Sequence, residues 1–66
     1  MEIVAKTLYG FEEILKKEVE ELGGENITVG NRVVKYTGDK ELLYKSNLWL
    51  RTAISVFVPP STTVKN

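Results

Sequence analysis

Asn47-Leu48-Trp49-Leu50-Arg51-Thr52-Ala53 holds the only Trp of the chain and one of its two Arg. On a helical wheel at about 100° per residue, apolar residues fall on two sides of this stretch and the residues before it. Leu42, Leu43, Trp49, Leu50 and Ala53 share one arc. Tyr44 and Leu48 lie nearly opposite, beside Arg51. The first arc fits a helix laid on a sheet, so Leu42, Leu43, Trp49 and Leu50 are expected to pack there. The second is a candidate docking face made of Tyr44, Leu48 and Arg51, since aromatic residues and Arg are enriched at interfaces.

Working outward, Asp39 after Gly38 is a good N-cap, and Glu41 in the first turn suits the helix dipole. The spacing predicts a helix over 39–52. Ile54 to Val58 then reads as a strand, stopped by Pro59-Pro60 because proline cannot donate to a ladder. Upstream, Asn26–Gly30 and Arg32–Thr37 are β-prone runs. Gly30-Asn31 between them predicts a two-residue turn with Gly at positive φ. Further upstream, Phe11, Ile14, Leu15, Val19 and Leu22 recur at helical spacing, and Gly23-Gly24 ends that helix. Glu12–Lys16 and Glu13–Lys17 are i,i+4 pairs in the favourable order. Glu18 falls inside the apolar arc and is expected at its rim, reaching water or a basic partner. Residues 2–8 alternate as a strand does, with Glu2, Val4 and Lys6 against Ile3, Ala5 and Thr7, and Leu8-Tyr9-Gly10 is a turn.

The order is β-α-β-β-α-β. It predicts an α+β, ferredoxin-like fold: a four-stranded antiparallel sheet with two helices on one face. The domain is expected over 1–58, with 59–66 as a polar tail or linker.

At 66 residues there is one domain at most, and a chain this short buries only about 60% of its unfolded surface. The chain has no Cys and no His, which removes disulfides, thiolate chemistry and the commonest metal ligand. No apolar run reaches the ~20 residues a membrane span needs, and residues 1–20 contain no signal-peptide core. Net charge is zero but uneven. Residues 1–26 have three Lys against seven Glu, and residues 27–66 have six Lys and Arg against two acids. Such asymmetry can mark a side that faces a polyanion. A solvated acidic helix turned away from a mildly basic hairpin explains it as simply. If RNA touches the chain, Lys35, Lys40, Lys45 and Arg51 are the candidate phosphate contacts. RNA-recognition sheets of this topology display paired aromatics. Here Tyr36 and Phe57 are the only candidates, and both can equally be core.

No chemistry reads out of the residues. The glycines lack a phosphate-loop spacing, no nucleophile–base pair exists, and Glu12-Glu13 and Glu20-Glu21 lie on a regular helix. No catalytic residue and no metal site is expected.

The run Thr7-Leu8-Tyr9-Gly10-Phe11-Glu12-Glu13-Ile14-Leu15 resembles the T-x-x-G-[LF]-E-x-x-L opening of THUMP-containing RNA methyltransferases. The likeness continues through Lys17-Glu18-Val19-Glu20-Glu21-Leu22-Gly23, Tyr36-Thr37-Gly38-Asp39 and Tyr44-Lys45-Ser46-Asn47-Leu48-Trp49-Leu50-Arg51-Thr52-Ala53. The family's usual Ser-Arg-Val after the Ala is here Ile54-Ser55-Val56, without the basic residue. The resemblance implies a ferredoxin-like segment that precedes a THUMP module and a Rossmann-type methyltransferase domain. It also implies a cytoplasmic parent that N2-methylates a guanine of 23S ribosomal RNA with S-adenosylmethionine. The partners it implies are those two domains and ribosomal RNA, with no membrane. The family's Asn/Asp-Pro-Pro-Tyr/Phe catalytic tetrapeptide is Val58-Pro59-Pro60-Ser61 here. No cofactor is therefore expected in this segment, and the parent would supply it. Two roles are open: an accessory segment that positions RNA or supports the next module, and a structural interaction module that RNA never touches.

Overall fold

Strand β1 (Glu2–Lys6) leads into helix α1 (Glu12–Leu22), then strands β2 (Glu25–Gly30) and β3 (Val33–Thr37), helix α2 (Lys40–Trp49) and strand β4 (Ser55–Phe57). This is a computed structural model describing residues 1–59. The tail expected over 59–66 lies outside the described residues but for Pro59. All pairings are antiparallel, in the order β2-β3-β1-β4. The expected α+β ferredoxin-like arrangement is the one observed.

Period-two alternation sorts each strand onto two faces. Ile3 and Ala5 on β1, Val34 and Tyr36 on β3 and Val56 on β4 point to one side. Leu15 and Val19 of α1 and Leu42 of α2 close over them to make the core. Both helices therefore cover one face, and the other stays open.

The helix ends follow local chemistry. Gly23 at φ 103° stops α1, its N–H donating to the Glu20 carbonyl while Gly24 N–H donates to that of Val19. This pair of bonds needs a left-handed residue, which glycine adopts without a Cβ penalty. Asp39 caps α2 as expected, its carboxylate accepting from Leu42 N–H at 2.8 Å. A Cβ on Gly38 would overlap the Leu42 side chain, so glycine is what lets the cap sit close.

Several expectations are corrected. Helix α2 ends at Trp49, not Thr52, because Leu50 turns extended and its N–H closes on Ser46. Trp49, the last helical residue, is 62% exposed and not packed on the core. Ile14 and Phe11, placed on the apolar face of α1, are also largely exposed. The hairpin turn is one residue later than expected. Gly30 still pairs with Val33, and the positive φ, 62°, falls on Arg32. A non-glycine residue is held there because Glu12 accepts its N–H and Thr7 N–H donates to its carbonyl. Glu12 makes no ion pair with Lys16. The one ion pair within 4 Å among the described residues is Lys45–Glu41 at 3.8 Å.

Candidate nucleic-acid interface and docking face

Residues from three of the family-like runs meet where the end of β1, α1 and the segment after α2 come together. Thr7, nearly buried, donates its hydroxyl to the Thr52 carbonyl at 2.9 Å. Glu18, half-buried at the rim of the arc, accepts the Thr52 N–H at 3.2 Å. Its partner is thus a backbone amide and not a basic side chain. Ile54 N–H donates to the Lys6 carbonyl at 2.7 Å. These bonds hold the crossover from α2 to β4 against β1 and α1. On the other side, the Glu12 carboxylate accepts from Gly10 and Arg32 N–H, both at 2.9 Å. The Arg32 N–H is the main reason its pKa lies below the ordinary carboxylate value. Thr7, Gly10, Glu12, Glu18 and Thr52 therefore serve the fold as a clasp.

The candidate RNA contacts do not form one site. Lys35 on β3 shares the open sheet face, on the parity of Val33 and opposite to Tyr36. Lys40 and Lys45 belong to α2, over the other face, and Lys45 is tied to Glu41. Arg51 follows α2 and joins Lys45, Trp49 and Leu50 in a shallow groove whose opposite wall carries Glu18 and Glu21. Carboxylates on that wall oppose phosphate binding there. Tyr36 and Phe57 are also separated. Tyr36 is in the core, its hydroxyl donating to Ser46 Oγ at 2.7 Å, and Ser46 in turn donates to the Leu42 carbonyl at 2.8 Å. Phe57 is on the open face, opposite Val4.

Of the candidate docking residues, Tyr44 and Leu48 are 67% and 61% exposed. Trp49, seven residues after Leu42 and so on a different side of the helix from these two, is also exposed and lines the groove with Arg51. Sequence reasoning missed Lys6. It lies on the open face and its ammonium is 5.9 Å from the centre of the Phe57 ring. The alternation of Glu2, Val4 and Lys6 was the available signal.

The family model of the RlmL ferredoxin-like domain matches residues 2–57. The chain belongs to that family. It is 37% identical, over 65 residues, to ribosomal RNA large subunit methyltransferase K/L of Buchnera aphidicola subsp. Schizaphis graminum. That alignment covers 97% of this chain and 9% of the relative. A crystal structure from Listeria monocytogenes, of a protein described as a predicted N6-adenine-specific DNA methylase, superposes with a TM-score of 0.78 at 40% identity. It covers 83% of this chain and 14% of that one. The chain thus spans a small fraction of the proteins it matches. No helix among the described residues is long and apolar enough to cross a membrane.

Proposed function

We propose that this chain is the N-terminal accessory segment of a cytoplasmic, S-adenosylmethionine-dependent RNA methyltransferase that modifies guanine N2 of 23S ribosomal RNA. The observation that carries the reading is the family match over 2–57, together with a relative whose name states ribosomal RNA. The Listeria protein's description names adenine in DNA, so the target nucleotide is the point to test.

The chain's own residues do not fit the cofactor. Gly23 lies at the carbonyl end of α1, and Gly24 packs against Val19 and Tyr36, so neither forms an amide cradle at a helix N-terminus. Methyl transfer and cofactor binding belong to the rest of the parent. The role here is to dock on the parent's following modules, THUMP included, through Tyr44, Leu48 and Arg51, and to help place ribosomal RNA. The test is the parent enzyme with labelled methyl donor on 23S transcript and on DNA, followed by nucleoside mass spectrometry. N2-methylguanosine from the transcript supports the reading, whereas N6-methyladenine from DNA replaces it. Removing residues 1–59 should weaken rRNA binding or parent stability while leaving cofactor binding intact.

A specific observation favours a second reading. The exposed patch on α2 and the acidic wall of the adjoining groove suit a protein partner more than a polyanion. In that reading the segment is purely structural. Intact rRNA affinity in a parent lacking residues 1–59 would select it.

A further inference from the structure

The open face of the sheet is ordered in cross-strand rows. Thr28, Lys35, Val4 and Phe57 form one row across β2, β3, β1 and β4. Gly30, Val33, Lys6 and Ser55 form the next. Directly opposed residues point to the same side of a sheet, and diagonal neighbours stay within reach of long side chains. Lys6 is diagonal to both Lys35 and Phe57. Val4 is only 7% exposed on this uncovered face, flanked by these longer side chains. The result is one accessible ring at an edge and two cations around a small apolar floor. Neither cation has a carboxylate within 4 Å among the described residues, unlike Lys45. Glu2 and Glu25 flank Thr37 in the remaining row, so negative charge is confined to one end.

We propose that this face binds unpaired RNA, with a base stacked on Phe57 and neighbouring phosphates on Lys6 and Lys35. This rests on the reading of the parent as an enzyme acting on RNA. A ring offers a stacking surface to any base, and ammonium groups take phosphates without reading sequence. The flat face favours single strands, whose bases can splay onto it. The acidic row keeps the backbone to the half of the sheet that holds Lys6 and Lys35. With one ring and two cations, binding is weak and insensitive to sequence.

The experiment titrates this chain with labelled oligouridine, and with an RNA duplex, by anisotropy across a salt series, and maps amide shifts on the unsubstituted chain. The expected result is single-strand binding with a log–log salt slope of about −1.4 for two phosphates. Lys35→Gln should bring the slope to about −0.7. Phe57→Leu should weaken binding about tenfold at an unchanged slope. Lys17→Gln on the outer side of α1 should change neither. Shifts should concentrate on β1, β3 and β4. Absence of binding at low salt, shifts confined to α2, or duplex bound as tightly as single strand would each overturn the proposal. A parent that methylates 23S transcript while this chain fails to bind oligouridine removes the sheet site alone. A parent inactive on RNA removes the reading beneath it.

Discussion

Tyr36 brings a hydroxyl into an apolar layer and satisfies it within the fold. Its proton goes to Ser46, and the Ser46 proton to the Leu42 carbonyl, which leaves no buried side-chain polar atom unpaired among the described residues. Burial raises the Tyr36 pKa. A raised pKa means the folded state resists ionisation. The stability so gained is complete below the unfolded value near 10 and is lost as pH climbs through the folded one. Tyr36→Phe should cost about 1 kcal/mol at neutral pH, one net hydrogen bond, and flatten the alkaline fall in melting temperature. Glu12 works the other way. Its pKa is lowered chiefly by the Arg32 N–H, so its contribution is present above the ordinary glutamate value and lost as pH falls through the folded one. Glu12→Gln should remove part of the acid sensitivity in urea melts between pH 3 and 5, a window set by the usual carboxylate range of about 4. An unchanged acid limb would show that Glu12 does not close the clasp.

Helix α2 has an inner side of Leu42 and Ser46 and an outer side of Tyr44 and Leu48, with Trp49 exposed at its last position. The inner side belongs to this domain. Leu42→Ala should destabilise by about 2–5 kcal/mol, the usual cost of emptying a core site. The outer side is left uncovered by this domain. Leu48→Ser and Trp49→Ser should each leave the isolated domain within about 0.5 kcal/mol of its original stability, as ordinary surface changes do. The same substitutions should loosen a longer chain carrying the following module, visible as a lower melting temperature or faster hydrogen exchange. If Leu48→Ser unfolds the domain by itself, Leu48 is core and the docking face does not exist.

Across the molecule, a chain with zero net charge and an isoelectric point near 6.2 carries eleven exposed large apolar residues among those described. Little charge repulsion then opposes contact between those surfaces. Light scattering should show self-association rising as pH approaches 6.2 and falling by pH 8, about two units above the isoelectric point, where net charge returns. Covering the α2 face with the next module should suppress it. The order of elements, the fold class, the Asp39 cap and the glycine stop after α1 were all legible in the sequence. Each depends on contacts within a few residues or on a simple period. The exposure of Trp49 was not legible, because a wheel puts it on the side of Leu42 but does not tell whether another element reaches far enough to cover it. The helix end itself is set by non-local bonds. Thr52 is claimed at its N–H by Glu18 and at its carbonyl by Thr7, from 34 and 45 residues away. The same holds for the candidate cations. Sequence put Lys35 and Lys45 in one basic half, but strand parity sends Lys35 to the open face while α2 lies over the other. The periods of the chain determined which elements form and which side chains share a face. Only the folded structure decided which faces meet, because long-range hydrogen bonds and the pairing of β1 with both β3 and β4 have no local signature.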